Sequence, residues 1–220
     1  MSARKSVVVV TAHPDDEAFG PSGTIAKFAK TNDVYLLCAT RGEAGKDFEN
    51  HKNLAIARER ELRTSAKILG VKKIYFLGFI DGTLSNSLYH SLAKKIKNHL
   101  KRLKPQTVIT FEPRGVSGHI DHITVSMATS FACLKLPFVK TILYHCITEK
   151  MRNGFGNDYF VYFPPGYKKD QIGKVVDVAD VWDLKIKAMM AHKSQIADAK
   201  RILEIRKKFP KKEFFLIWEK

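Results

Sequence analysis

Short β-branched and aromatic runs alternate with longer segments of helical period along this chain, a pattern that predicts strands and helices in turn. Strands are expected near Ser6–Ala12, Asp33–Thr40, Lys73–Leu77, Thr107–Phe111 and Thr141–Cys146. Helices are expected near Ser22–Lys30, Asn53–Leu69, Ser87–Leu103 and Asp121–Cys133, with Gly70 placed for a left-handed cap and Pro105 closing the third. Such alternation is the mark of βαβ units around a mostly parallel sheet, the α/β class. From Ile147 to Lys174 it fails: Gly154, Gly156, Pro164-Pro165-Gly166 and several aromatics predict a long loop or hairpin covering something. A helix over Val181–Gln195 and a basic helix near Asp198–Lys208 follow.

At 220 residues and 45% hydrophobic content the chain can bury one sizeable core, so 1–220 is read as one domain. Cys38, Cys133 and Cys146 are odd in number and each lies in an apolar run, which predicts buried free thiols and a reducing compartment. No stretch approaches the roughly 20 apolar residues of a membrane span, and the opening apolar run is too short for a signal-peptide core. A cytoplasmic protein without stable membrane insertion is expected. The net charge of +16 suits an anionic partner or merely solvated helix faces, and no nucleic-acid motif or aromatic interleaving accompanies it, so no nucleic-acid partner is expected.

The chemistry concentrates in two segments. Thr11-Ala-His13-Pro-Asp15-Asp16-Glu17 begins where the first strand ends, and ligands of open α/β sheets sit at the carboxyl ends of strands. His13 and Asp16, across the turn stiffened by Pro14, can converge on one divalent ion, leaving Asp15 as a general base. Glu17 reads as a first-turn capping carboxylate. Gly115-Val-Ser-Gly118-His119-Ile-Asp121-His122 follows the strand at Thr107–Phe111 and belongs at the same end. One of its histidines can ligate while the other faces substrate, with Asp121 orienting a histidine, His119 foremost, or serving as an N-cap. Two histidines and one carboxylate leave coordination positions open, as in catalytic zinc sites.

These segments resemble the AHPDDE signature and the later HPDH segment of the GlcNAc-PI de-N-acetylase (PIG-L, LmbE-like) family, with Ile120 where proline is usual. Weaker resemblances follow in order at Thr40-Arg-Gly42-Glu43-Ala-Gly45, Arg58-x-x-Glu61, Leu77-Gly78-Phe-Ile-Asp81-Gly82 and His192-x-Ser194-Gln195, so the likeness spans roughly Val7 to Gln195. It implies a Rossmann-like three-layer sandwich and a zinc-dependent hydrolase that removes the N-acetyl group of an N-acetylglucosamine-like substrate. It implies His13, Asp16 and His122 as metal ligands, Asp15 as the base, His119 as stabiliser of the oxyanion, and Arg58 and Asp81 as substrate contacts. Iron(II) or cobalt could occupy the same ligands.

Other readings of the same residues exist. Arg58 also fits a solvated ion-pair face with Glu61, Asp81-Gly82 a simple turn, and His192-x-Ser194-Gln195 a cap. The glycines of Thr40–Gly45 lack dinucleotide spacing, which excludes NAD. His51, His90, His99 and His145 have no evident partner. A two-histidine, one-carboxylate set also suits an iron(II) oxygenase, whose usual β-sandwich conflicts with this alternation; a basic binder of anionic polymer or membrane surface with an idle metal site is the non-enzymatic rival. The basic surface suits an anionic amino-sugar conjugate, and exposed apolar residues of the long loop could serve a homo-oligomer interface.

Overall fold

A computed structural model describes residues 4–156 and 162–220. In chain order the elements are β1 (Ser6–Thr11), α1 (Asp16–Phe19), α2 (Ser22–Thr31), β2 (Asp33–Cys38), α3 (Leu54–Ile68), β3 (Lys73–Phe76), α4 (Tyr89–Leu103), β4 (Thr107–Phe111), α5 (Gly115–Gly118), α6 (Ile120–Leu134), β5 (Thr141–Cys146), α7 (Glu149–Asn153), β6 (Lys174–Asp177), α8 (Trp182–Met190), α9 (Ile196–Arg206) and β7 (Lys212–Glu219).

The strands form one sheet in the order β3-β2-β1-β4-β5-β7-β6. The first five are mutually parallel, and β7 runs antiparallel to both β5 and β6. Strand β1 shows why the sheet needs cover on both faces: Val7 and Val9 enter one core while Val8 and Val10 enter the other, each 2% exposed or less. The first core takes side chains from α2, α3, α8 and α9, and the second from α4 and α6. The molecule is thus the expected three-layer, mostly parallel α/β sandwich. Chain order reverses between β1 and β4, so the crevice at their carboxyl ends is the switch point where such sheets bind ligands.

Several local expectations are corrected. The segment Val181–Gln195 is two pieces: α8 ends at Met190, and a tight 3-10 turn over Lys193–Gln195 precedes α9. The span 147–174 carries α7, a bridge between Thr148 and Tyr167, and the first residue of β6, and so is more ordered than a bare loop; residues 157–161 of it lie outside the described residues. Strands β6 and β7 were not foreseen. Cys38, Cys133 and Cys146 are buried and free, as expected. Among the described residues no helix is long and apolar enough to cross a membrane.

Candidate active site

The turn after β1 delivers its side chains through an uncommon backbone. Asp15 adopts φ 117°, ψ −27°, a left-handed conformation for a residue with a Cβ. Asp16 closes the turn beneath it, its Oδ2 accepting the N–H groups of His13 (2.7 Å) and Ala12 (3.1 Å). Across the crevice His119 caps α6, its Nδ1 accepting the Asp121 N–H at 3.1 Å, and His122 stacks on Phe111 with ring centroids 4.2 Å apart.

His13, Asp16 and His122 meet here. His13 Nδ1 lies 3.2 Å from His122 Nε2, and the Asp16 carboxylate turns one oxygen to each ring, at 3.7 Å and 3.2 Å. Their remote nitrogens are engaged: His13 Nε2 lies 2.8 Å from Asp81 and 3.2 Å from Asp121, and His122 Nδ1 donates to the Gly115 carbonyl at 3.0 Å. These partners hold protons on the remote nitrogens and turn lone pairs inward. A tetrahedral ion with bonds of about 2.0–2.1 Å holds its ligands about 3.3–3.4 Å apart, close to the 3.2 Å that separates His122 Nε2 from His13 Nδ1 and from Asp16 Oδ1, so the donor types suit zinc; His119 forms a candidate ligand group with the same two histidines. The electrostatics agree with a cation-seeking site. Burial would lower the pKa of His13, but its hydrogen bonds to Asp121 and Asp81 and the charge of Asp16 push it up to about 10. Burial would raise Asp16, yet the His122 and His13 charges hold it well below the usual carboxylate range.

Asp15 behaves differently from its neighbour. Burial pushes its carboxyl up to about 7, with Arg58 opposing and Asp16 adding to the rise. That lies where a general base works best. Burial and the nearby His122 and His13 charges lower His119 to about 4, so the ring is neutral; with Nδ1 accepting from backbone, its proton sits on Nε2.

The residues expected to touch substrate also brace the site. Arg58 is 3% exposed, not on a solvated face, and donates to Gly42 O (2.7 Å), Pro14 O (2.6 Å) and Asp15 Oδ2 (2.8 Å). A Cβ on Gly42 or Gly45 would collide with its guanidinium, which explains the glycines of that loop. Asp81 accepts the Ala44 N–H at 3.0 Å besides facing His13. Asp121 is corrected: its carboxylate faces His13, not foremost His119, and accepts from Gly82 N (2.8 Å) and Leu84 N (3.1 Å), while its backbone N–H donates to His119 Nδ1.

A cavity of about 530 Å³ opens over the cluster, lined by His13, Asp15, Asp16, His119 and His122 and roofed by Ile147, Met151, Phe155 and Phe163 of the irregular segment. Arg58 and Asp81 reach it too. His145, read from sequence as ordinary, also lines it; its place at the carboxyl end of β5, among apolar neighbours, was the available signal. Glu112, likewise missed, follows β4 directly and accepts the N–H groups of Arg114 (2.9 Å) and Val116 (2.8 Å), shaping the loop that presents His119.

The chain is similar to known proteins. A family model described as GlcNAc-PI de-N-acetylase (PIG-L) matches residues 8–133. A probable N-acetyl-α-D-glucosaminyl L-malate deacetylase 2 of Bacillus anthracis is 28% identical over 215 residues, covering 95% of this chain and 88% of the relative. A diacetylchitobiose deacetylase of Thermococcus kodakarensis is 32% identical over 203 residues, covering 88% and 71%. The structure of N,N'-diacetylchitobiose deacetylase from Pyrococcus horikoshii superposes with a TM-score of 0.76 at 24% identity, covering 98% of this chain and 84% of that one, a likeness of fold. With both motif segments meeting at one crevice and the family model spanning more than half the chain, the protein belongs to the GlcNAc-PI de-N-acetylase family.

Proposed function

We propose that this protein is a zinc-dependent hydrolase that removes the N-acetyl group from an N-acetylglucosamine conjugate, releasing acetate and a free amine. The observation that carries the reading is the inward convergence of His13 Nδ1, Asp16 and His122 Nε2, with Asp15 beside them at the same cavity. Zinc held by those three residues would polarise the acetyl carbonyl and acidify a water molecule. Asp15 takes a proton from the attacking water and returns it to the departing amine. His119, neutral and protonated on Nε2, donates to the oxyanion of the tetrahedral intermediate. Asp81 and Asp121 orient His13, and Arg58 holds Asp15 while both Arg58 and Asp81 remain at the cavity wall to meet the sugar.

The relatives' names point to three conjugates: N-acetylglucosaminyl malate, N-acetylglucosaminyl inositol and diacetylchitobiose. The net charge of +16 favours an anionic member, and three buried free thiols suit a reducing, cytoplasmic setting. The test is acetate release from those three, using metal-stripped protein and protein given zinc, iron(II) or cobalt. Metal-dependent release that falls about 10²–10⁴-fold in Asp15→Asn, with metal still bound, is expected. Unchanged turnover in that variant refutes the role of Asp15, and silence toward all three with zinc bound refutes the reaction.

A further inference from the structure

The strained backbone of Asp15 persists only if its surroundings over-determine it. Two side chains grip it. Glu17 Oε2 accepts the Asp15 N–H at 3.1 Å, and Arg58 binds the Pro14 carbonyl and the Asp15 carboxylate from the other side. Glu17 is completely buried and is itself held from behind, its Oε1 accepting from Ser65 Oγ at 2.6 Å and from His192 Nε2 at 2.8 Å. His192 is equally buried and, among the described residues, its Nδ1 has no hydrogen-bond partner, so the ring proton sits on Nε2 and is donated in the hydrogen bond to Glu17.

The turn carrying His192 is pinned in the same way. Ser194 donates its N–H and its hydroxyl to the two oxygens of Glu61, each at 2.7 Å. Arg58, Glu61 and Ser65 are spaced three and four residues apart, on one face of α3. That face therefore meets Asp15 directly, Glu17 through Ser65, and the His192 turn through Glu61. Neither Glu17 nor His192 lines the cavity, so neither is set to touch substrate.

We propose that His192, acting through Glu17, is a positioning residue that fixes the direction of the Asp15 carboxylate. The inference rests on the reading of Asp15 as the base. His192→Phe keeps a ring of similar bulk but removes the donor. Glu17 is then free to rotate about its remaining bonds, its grip on the Asp15 N–H loosens, and the strained turn relaxes. Misplacing a catalytic group by about 1 Å costs about 10²-fold in turnover. The loss belongs in kcat, since the cavity wall and the convergent His13, Asp16 and His122 are untouched.

The experiment compares wild type, His192→Phe, His192→Gln and Ser65→Ala as zinc-loaded proteins. It reads zinc stoichiometry, kcat and KM on the conjugate of the three above that wild type turns over fastest, and amide hydrogen exchange at Asp15. Expected are faster Asp15 exchange and a roughly 10²-fold lower kcat in His192→Phe, unchanged KM and zinc content, and recovery of most of the loss in His192→Gln, whose amide restores a donor. A folded His192→Phe with wild-type kcat and wild-type exchange overturns the proposal, as does a change confined to KM or to zinc content. If His192→Phe does not fold, Ser65→Ala, which removes the other donor to Glu17, decides by the same two readouts. Should wild type release no acetate, the proposed reaction fails while exchange at Asp15 still decides the positioning.

Discussion

Breaking the buried ion pair between Lys185 and Glu213 should unfold this protein more readily than removal of any surface charge. Both side chains are 0% exposed, and Lys185 Nζ lies 3.0 Å from Glu213 Oε1. Each does more than face the other. Lys185 also donates to the Gly20 carbonyl (2.6 Å) and the Ser22 hydroxyl (2.9 Å), while Glu213 accepts the N–H groups of Gly23 (2.9 Å) and Thr24 (2.8 Å) at the start of α2. Lys185→Met leaves a buried carboxylate without its cation, and Glu213→Gln leaves a buried ammonium without its anion. Removing one partner of such a pair costs about 3–5 kcal/mol. Lys185→Met belongs at the low end, because two backbone donors still meet Glu213. At about 2–4 °C per kcal/mol for a domain of this size, either single variant melts about 6–20 °C lower. The double variant Lys185→Met/Glu213→Gln keeps an acceptor for α2 and removes both charges of the pair, so it should recover part of the loss, the remainder falling on buried Arg206, which also faces the Glu213 charge. Urea unfolding of the four proteins completes the cycle. Singles costing under about 1 kcal/mol, or a double equal to their sum, would refute the argument that the pair is coupled and costly to break.

Two further outcomes follow from the site. Burial holds His145 neutral, its pKa lowered to about 3 against 6.5 for the free side chain. Between those values the unfolded chain binds a proton that the folded one does not, so stability falls as pH drops below 6.5. From about pH 7 to about pH 5 wild type should lose about 2 kcal/mol more than His145→Gln in urea titrations, and equal losses would exclude His145 as the cause. Asp121→Asn keeps the shape but removes charge from behind His13, so zinc affinity by chelator competition should fall about 10–100-fold; wild-type affinity would place the orienting role on Asp81 alone.

The parallel half of the sheet was legible because strands covered on both faces are largely apolar, and β1, β2, β4 and β5 read as apolar runs interrupted inside only by Thr110 and His145. The two motif segments were legible because they stand at the ends of those runs. Strand β6 was hidden: as an edge strand it has only Val175 and Val176 between Lys174 and Asp177, and pays no strict pattern. The bracing of Asp15 was hidden for another reason. Glu17 looks like a capping carboxylate and Ser65 like a surface helix residue, and only folding brings them to His192, which is 175 positions from Glu17. Local pattern carries no information about a partner that distant.

The insertion of β7 between β5 and β6 sets an order on assembly during synthesis. Strand β1 and the His13–Glu17 turn leave the ribosome early, but Glu213, which seats the start of α2, is 190 residues from Gly23. A nascent chain lacking β7 has an unpaired edge on β5, with Thr141 to Cys146 open to other chains. The N-terminal βα units can collapse as they emerge, yet the floor under the site closes only when the strand from Lys212 arrives. Truncations before that point should therefore yield aggregating chains and not partly active ones, and the final pairing, with its long loop to close, is the step expected to limit the folding rate.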